Sequence, residues 1–308
     1  MKTATELPAG TIVDSGGDAR VHSRSADYLT LTKPRLNFLV LVTTLAAFYL
    51  GGGATEPFLL LLHTLMGTAL VAGGASALNQ VWERDTDRLM RRTRLRPLPD
   101  LRLNPVDALW FGVLLSAIGI AQLALGVNVR TALVALVTLL SYVLVYTPLK
   151  LRTSISTIVG AIPGALPALI GWTAATDTLS IQGWVLCGIV FMWQMPHFLA
   201  IAWIYRDDYA RAGIPLLPVI EPDGRSTGRQ ALLYSAALIP MSSLPTAVGL
   251  ATVWYLAGAI VLGAVLLVVT LEFSTTRTLP AARRLFFATI LYLPLLWIAL
   301  LVDHFLHV

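Results

Sequence analysis

The stretch that decides the fold reads Asn79-Gln80-Val81-Trp82-Glu83-Arg84-Asp85-Thr86-Asp87, and it ends a long apolar run in a chain of 308 residues. Asn79, Glu83 and Asp87 are four residues apart, so a helix places them on one face, whereas Asp85 points elsewhere. Eight helical residues rise roughly 12 Å, which is too far for all three side chains to reach one small ion. The row therefore predicts Mg²⁺ held mainly by an extended diphosphate, with a few carboxylates added by the protein.

Arginines are unusually dense around this row, where they either interleave with it or follow it. They are Arg84, Arg88, Arg91, Arg92, Arg94, Arg96 and Arg102. Guanidinium groups suit phosphate oxygens because they donate two parallel hydrogen bonds. Carboxylates for a metal beside many phosphate-binding cations, in an apolar chain, indicate an isoprenyl diphosphate as substrate.

The composition predicts an all-α, polytopic membrane protein. Hydrophobic residues make up 56% of the chain and charged residues 13%, against about a quarter charged in soluble domains. Apolar runs long enough to span a bilayer predict nine transmembrane helices near residues 36–53, 58–80, 106–126, 130–147, 154–173, 181–203, 231–249, 252–271 and 286–306.

The positions of the basic residues predict the orientation. With the amino terminus in the cytoplasm, every Lys and Arg except Arg130 falls on the inner side, as the positive-inside rule requires. Residues 1–27 are polar and predict a disordered cytoplasmic tail, followed by one membrane domain over 28–308. The tail has neither the apolar core of a secretory signal nor the acid-poor composition of a mitochondrial one. We therefore expect a bacterial inner membrane.

A second acidic cluster follows the sixth predicted span and reads Tyr205-Arg206-Asp207-Asp208-Tyr209-Ala210-Arg211. Because the first cluster ends helix two and this one ends helix six, the chain is predicted to form two four-helix halves plus a ninth helix. Packed together, these helix ends would aim Glu83, Asp87, Asp207 and Asp208 at one metal site. The alternative is that both clusters are solvated helix caps that only set the orientation.

Cations elsewhere on the inner side extend the candidate anion site. Lys150 lies between helices four and five, and Lys33 and Arg35 precede helix one; each is equally consistent with a membrane anchor. The predicted substrate-binding cations, for a diphosphate or another anionic group, are Lys33, Arg35, Arg84, Arg88, Arg91, Arg92, Arg96, Lys150, Arg206 and Arg211. The net charge of +5 is explained by orientation and by this substrate, so nucleic-acid binding is not predicted.

A few residues outside the acidic clusters are candidates for substrate contact. His197 either makes an interhelical hydrogen bond or contacts a substrate, including a haem iron. The rings of Trp193, Tyr205 and Tyr209 either pack or stabilise a carbocation by cation–π contact. Cys187 is alone within a predicted span, which excludes an internal disulfide.

At these residues the chain resembles the intramembrane prenyltransferase superfamily of the 4-hydroxybenzoate polyprenyltransferase type, and within it the branch that farnesylates haem. The resemblance covers residues 28–305. It is carried by the segments Asn79 to Asp87, Met90 to Leu98, Tyr146 to Lys150, Gly171-Trp172, and Trp193-Gln194-Met195-Pro196-His197-Phe198 onward to Pro215.

The resemblance implies a nine-helix bundle with a lateral cavity and Mg²⁺-dependent transfer from farnesyl diphosphate to haem B. It further implies that a haem vinyl group attacks the farnesyl cation and that water then completes the product. Hand-over of this product to a haem A synthase or an oxidase assembly is a further expectation. The superfamily's second motif has two Asp residues four apart; here Tyr205 and Tyr209 stand at those places, so Asp208 is favoured as the second acid.

Other functions stay open from the sequence. A related prenyltransferase acting on an aromatic acid or quinone precursor would use the same first motif. A transporter would need charges near the middle of the membrane, whereas here they collect at one face. A structural assembly subunit would keep its function without Asp87.

Overall fold

The computed structural model describes residues 23–307, and every regular element in that range is a helix. The helices are α1 (Arg24–Leu31), α2 (Pro34–Phe48), α3 (Phe58–Leu89), α4 (Pro105–Gly126), α5 (Val129–Leu140), α6 (Thr147–Leu149), α7 (Ser156–Thr176), α8 (Ile181–Ile204), α9 (Arg206–Arg211), α10 (Leu217–Ile220), α11 (Arg225–Ala247), α12 (Val253–Thr276) and α13 (Leu279–His307). Short π-helical segments extend α2 through Tyr49–Gly53 and join α5 to α6 through Ser141–Tyr146.

Eight of the described helical segments are long and apolar enough to cross a membrane, which confirms an all-helical, multi-span protein. They are Pro34–Gly53, Phe58–Leu89, Pro105–Gly126, Val129–Leu149, Ser156–Thr176, Ile181–Ile204, Val253–Thr276 and Leu279–His307. The predicted span 231–249 lies mostly in α11, which is 23 residues long. Its arginines, serines and prolines keep it outside that set of eight, so the count of nine is not confirmed.

The predicted amino-terminal tail falls largely outside the described part of the chain. Residues 1–22 are not described, and α1 already begins at Arg24. Ser23 caps this helix by accepting a hydrogen bond from the backbone N–H of Ala26, an interaction that stabilises helix starts. The membrane domain is thus preceded by an ordered helix that begins before the predicted boundary at residue 27.

Helix starts follow from local sequence signals. Asn104 caps α4 by accepting from the backbone N–H of Val106, and Pro105 occupies the first helical position, where its missing N–H costs nothing. Asn128 caps α5 through the N–H of Thr131 in the same way. These short caps keep the turns between spans tight.

Helices α3 and α4 pack closely because small residues face each other. A Cβ added to Gly74 would clash with Ser116 and with the carbonyl of Gly112, and one added to Gly119 would clash with the backbone of Gly67. Small residues let membrane helices approach until their backbones touch. This contact fixes α3, and therefore the polar residues at its end.

One end of the bundle collects the charges, and we call it the charged end. It comprises the start of α2, the end of α3 with the following loop, the segment around α6, and α9. The loop after α3 folds back on that helix, since Thr93 donates to the carbonyl of Asp87 at 2.8 Å and Arg102 pairs with Asp27 at 3.3 Å. The central spans α7 and α8 are the most buried and form the wall facing α2 and α3.

Candidate functional site

The three residues of the first cluster lie buried on one face of α3, as predicted. The exposed fraction is 2% for Asn79, 4% for Glu83 and 1% for Asp87. Asp85, one step off this face, has a side chain that is 74% exposed and pairs with Arg84 at 3.6 Å. The four-residue spacing therefore separates a buried polar row from solvated neighbours on the same helix.

Each carboxylate of the row has its own cation from a separate segment. Lys150 donates to Glu83 Oε1 at 2.9 Å, and Arg96 donates to Asp87 Oδ2 at 2.7 Å. Buried charges of this kind require partners, because an unpaired ion away from water is very costly. The pairs bring the loop after α3 and the residue following α6 onto the row.

The amide of the row is held from both sides. Lys33 Nζ donates to Asn79 Oδ1 at 3.1 Å, and Asn79 Nδ2 donates to Thr147 Oγ1 at 3.2 Å. These bonds orient the amide oxygen towards a cation and its nitrogen towards α6. Lys33, which was equally consistent with a membrane anchor, therefore lies in the site.

Lys33 holds an unusual backbone conformation. Its φ of 47° and ψ of 58° are left-handed, immediately before Pro34, and a side chain with a Cβ pays about 1–2 kcal/mol for that geometry. Burial lowers the pKa of the Lys33 ammonium to about 8, and repulsion from Arg96 adds to the effect. Backbone strain and a perturbed pKa in one residue are features that cluster at functional sites.

Lys150 is tuned in the opposite direction. Burial is the largest single effect on the pKa of Lys150 and would lower it, but the Glu83 carboxylate, the hydroxyls of Tyr146 and Tyr209 and the hydrogen bond to Glu83 together raise the pKa by more. The net result is a pKa above the ordinary value of a lysine. Lys150 therefore stays an ammonium ion across the physiological range.

The second cluster presents one buried acid and one exposed acid. Asp208 is buried and pairs with Arg211, whereas the Asp207 side chain is 90% exposed and lies 3.9 Å from Arg206. Arg206 stacks over the ring of Trp203, 4.4 Å from its centroid. The geometry thus favours Asp208 over Asp207 as the inward-facing acid.

Arg92 joins the two clusters. Its guanidinium lies 5.3 Å from the ring centroid of Tyr205 and 5.2 Å from that of Tyr209, and it donates to the Tyr209 hydroxyl at 2.9 Å. Met90 and Tyr209 also belong to one small apolar cluster. The end of α3 and helix α9 therefore meet, as the sequence predicted, but both tyrosine rings face Arg92.

The remaining candidate cations lie at the surface of the charged end. Arg88 donates to the carbonyl of Pro99 at 3.0 Å, and Arg35 and Arg91 are exposed. These residues surround the buried row without bonding to it.

A mainly apolar cavity of about 340 Å³ opens beside the row. It lies between α2, α3, the segment that joins α5 to α6, α7 and α8, and its lining includes Lys33 at one end and Val71, Leu139, Ile170 and Phe198 along its walls. The cavity therefore combines a cationic end with a long apolar wall.

His197 and Trp193 lie on α8 beside this cavity, against α13. Trp193 donates to the carbonyl of Thr289 at 2.7 Å, and His197 Nδ1 lies 2.9 Å from Thr289 Oγ1. The His197 ring stacks between Trp193 and Phe286, with centroids 5.3 Å and 5.1 Å away. Both residues are thus held by α13, and neither lines the cavity.

Comparison with known proteins identifies the family. A model of the UbiA prenyltransferase family matches residues 40–297. The chain belongs to the UbiA prenyltransferase family. The resemblance drawn from the sequence is confirmed, and the chain is a prenyltransferase.

The curated relatives of this UbiA prenyltransferase match it over nearly their whole length. It is 47% identical to the Protoheme IX farnesyltransferase of Solibacter usitatus over 286 residues, which are 90% of this chain and 98% of that protein. It is 47% identical to the Protoheme IX farnesyltransferase of Myxococcus xanthus, with 91% and 95% of the two chains covered.

Solved structures share the UbiA fold at low sequence identity. A digeranylgeranylglyceryl phosphate synthase superposes with a TM-score of 0.77 at 15% identity, over 90% of this chain and 97% of that one. A UbiA homologue from Archaeoglobus fulgidus bound to GPP and Mg²⁺ gives 0.61 at 16% identity, over 89% and 99%. At these identities the likeness establishes the fold.

Several residues at the site of this UbiA prenyltransferase were given no role from the sequence. Tyr142 and Tyr146 stack at 5.4 Å and line the cavity, as do Asn37, Ser76 and Gln194. The four-residue spacing of Tyr142 and Tyr146, at the charged end of a span, was the available signal. Asn37, Ser76 and Gln194 are single polar residues in apolar runs, a pattern that also fits ordinary interhelical hydrogen bonds.

Proposed function

We propose that this chain transfers the farnesyl group of farnesyl diphosphate to a vinyl group of haem B in a Mg²⁺-dependent reaction that yields hydroxyethylfarnesyl haem. The observation that carries the proposal is the buried row Asn79, Glu83 and Asp87, each member paired with its own cation, at the end of an apolar cavity. The choice of donor and acceptor is supported by relatives at 47% identity that are named Protoheme IX farnesyltransferase.

The residues present fit a Mg²⁺ ion that arrives with its diphosphate. Within residues 23–307 no group of three His, Cys, Asp or Glu residues is placed to hold a metal, and Mg²⁺ commonly takes one or two carboxylates plus substrate phosphates. Asp87 Oδ1 is buried with no hydrogen-bond partner in the described chain, so a hard-cation ligand is available. Asp87 and one further carboxylate, from Glu83 or Asp208, would hold the ion, which would supply charge neutralisation to the leaving diphosphate.

The paired cations supply the rest of the anion site. Lys150, Arg96 and Lys33 now hold oxygens of the row, and a diphosphate offers them stronger acceptors at the same place. When they turn to the phosphate oxygens, charge that develops on the leaving group is met by groups already in position, which is the most effective form of electrostatic catalysis.

The cavity walls protect the allylic cation. Apolar side chains line most of the cavity, which excludes water from the farnesyl chain. The stacked rings of Tyr142 and Tyr146 lie at its charged end, where a cation–π contact is worth up to about 2 kcal/mol when desolvated. We assign them the stabilising role expected of Trp193, Tyr205 and Tyr209, since Arg92 and α13 hold those three rings elsewhere.

His197 is suited to ligate the haem iron. Thr289 Oγ1 donates to the carbonyl of Phe286 at 2.7 Å, so this oxygen accepts the hydrogen bond from His197 Nδ1. The proton is therefore held on Nδ1 and the lone pair on Nε2, which is how histidine ligands are commonly oriented. The arginines of the charged end that do not bond to the row would bind the haem propionates. They include Arg35, Arg88, Arg91, Arg206 and Arg211.

The topology completes the proposal. We assign α11 as a ninth span, because it packs against α8 and α12, which are both long and apolar enough to cross a membrane. With the charged end in the cytoplasm of a bacterial inner membrane, the basic residues obey the positive-inside rule. Hand-over of product to a haem A synthase or oxidase assembly stays a prediction.

Mass spectrometry of the products tests the function. Purified protein is incubated with haem B, farnesyl diphosphate and Mg²⁺, beside one tube containing EDTA and one containing 4-hydroxybenzoate in place of haem. We expect a farnesylated, hydroxylated haem only where haem and Mg²⁺ are both present. Prenylated hydroxybenzoate as the sole product would show that the acceptor is an aromatic acid rather than haem. The absence of any product from folded protein would refute the assignment of the function.

A further inference from the structure

A second, smaller cavity of about 90 Å³ lies at the charged end. Its polar lining consists of Tyr146, Lys150, Ser156, Thr157 and Tyr209. Tyr146 and Phe198 also line the large apolar cavity, so those two rings separate the spaces. The large apolar cavity lies on one side of this partition, and the small cavity lies on the other.

Ser156 in the small cavity lacks a hydrogen-bond partner. Its exposed fraction is 0%, and its Oγ contacts no acceptor or donor anywhere in the described part of the chain. Ser156 is the first residue of α7, and its own backbone N–H is already bonded to the carbonyl of Thr153. A buried hydroxyl left unsatisfied is costly, and a water molecule in the cavity that bonds to it would offset that cost.

The size of the cavity decides which occupant fits. About 10–15 Å³ of such volume is enough for one water molecule, so the space holds several waters. A tetrapyrrole or a farnesyl chain is far larger. Buried waters require two to four polar partners, and the five polar side chains of the lining meet that need.

We propose that this cavity is a water site, and that Ser156 holds there the water molecule that hydroxylates the product. The inference rests on the proposed function. In that reaction the bond from farnesyl C1 to oxygen breaks, and the electron pair leaves with diphosphate. The terminal vinyl carbon bonds to C1, which leaves a cation on the inner vinyl carbon.

Two successive cations then need opposite treatment. The farnesyl cation must not meet water, whereas the second cation must be attacked by a water oxygen. The proton that this water releases goes to the departed diphosphate, which carries basic oxygens. A water store behind Tyr146 and Phe198 satisfies both requirements, because the rings shield the first cation and leave the water next to the reaction centre.

The ratio of two products tests the water site. Without the held water, the second cation loses a proton instead and gives a farnesylated haem lighter by one water. We expect S156A to raise the ratio of this alkene to the hydroxylated product by about fivefold, the factor that corresponds to one neutral hydrogen bond. S156T keeps a hydroxyl and should restore the wild-type ratio.

The controls separate this inference from the function on which it rests. S154A changes a neighbouring serine that does not line the cavity and should leave the ratio unchanged, while wild-type protein in H₂¹⁸O should give labelled product. If S156A fails to fold, A202V, which narrows the cavity from α8, should shift the ratio in the same direction. An unchanged ratio in the folded variant overturns the water site alone, and no farnesylated haem from wild type overturns the proposed function as well.

Discussion

The binding of prenyl diphosphate should weaken with rising pH, because Lys33 must be charged to meet it. In the free protein burial, aided by Arg96, lowers the pKa of Lys33 to about 8, well below its ordinary value. A bound anion favours the ammonium form of Lys33. At any pH above the pKa of Lys33 in the free protein, binding is therefore accompanied by uptake of a proton. Below about pH 8 the residue is already protonated and binding is insensitive to pH.

The magnitude follows from proton linkage. In the free protein about ten Lys33 side chains in eleven are protonated at pH 7, but only about one in eleven at pH 9. The dissociation constant of prenyl diphosphate should therefore be about tenfold higher at pH 9 than at pH 7. The free energy of unfolding changes in the opposite direction. A lysine whose pKa is lowered by folding destabilises the folded protein at pH values where it is charged in both the folded and the unfolded state. This penalty becomes smaller as the pH rises from 8 towards the pKa of the lysine in the unfolded chain.

The assay is equilibrium binding of a non-reacting farnesyl thiolodiphosphate at saturating Mg²⁺, measured every half unit from pH 7 to pH 9. K33R is the matched control, since arginine stays charged throughout. We expect a tenfold rise for wild type and a flat profile for K33R. A flat wild-type profile, or an equal slope in K33R, would refute the assignment of Lys33 to the diphosphate.

Three further predictions concern single residues. Asp87→Asn should cut turnover by about 10²–10³-fold, the loss typical of one removed electrostatic contact at a transition state; Asp85→Asn, on the solvated face, should not, and equal losses in purified protein would contradict the row. His197→Ala should weaken haem binding, followed by the Soret band, and leave farnesyl diphosphate binding intact; a parallel loss of both would remove the iron-ligand role. Asp303 of α13 accepts from both the backbone N–H and the hydroxyl of Thr252, each at 2.6 Å, so Asp303→Ala should lower the free energy of unfolding by about 2–4 kcal/mol, with Asp303→Asn between; an unchanged thermal midpoint in detergent would exclude this cap.

The sequence predicted the site wherever helical spacing alone sets the geometry. The four-residue steps of Asn79, Glu83 and Asp87 are local, and all three are buried together. Adjacent residues were harder to separate: Asp207 and Asp208 were both metal candidates, yet only the latter faces inward. The turn between α8 and α9 decides this, and its geometry depends on packing across the bundle.

Long-range pairing could not be predicted from the sequence. Lys33 and Lys150 were each equally consistent with a membrane anchor, and only the folded bundle brings them to Asn79 and Glu83. The ninth span stays a prediction for a similar reason: α11 carries serines and prolines that lower its hydropathy, and its packing against α8 and α12 is a long-range property.

The pairing of both carboxylates of the row with cations would link metal and substrate binding in the proposed function. A bare carboxylate at the membrane edge is costly, so Glu83 and Asp87 each hold a cation before substrate arrives. Those cations can turn to a diphosphate only if another positive charge takes their place at the carboxylates. In the proposed function, the metal and the diphosphate would each create the binding site of the other, and by thermodynamic reciprocity we expect their affinities to rise together. This coupling explains how a site built for a highly charged substrate can persist, fully paired, while that substrate is absent.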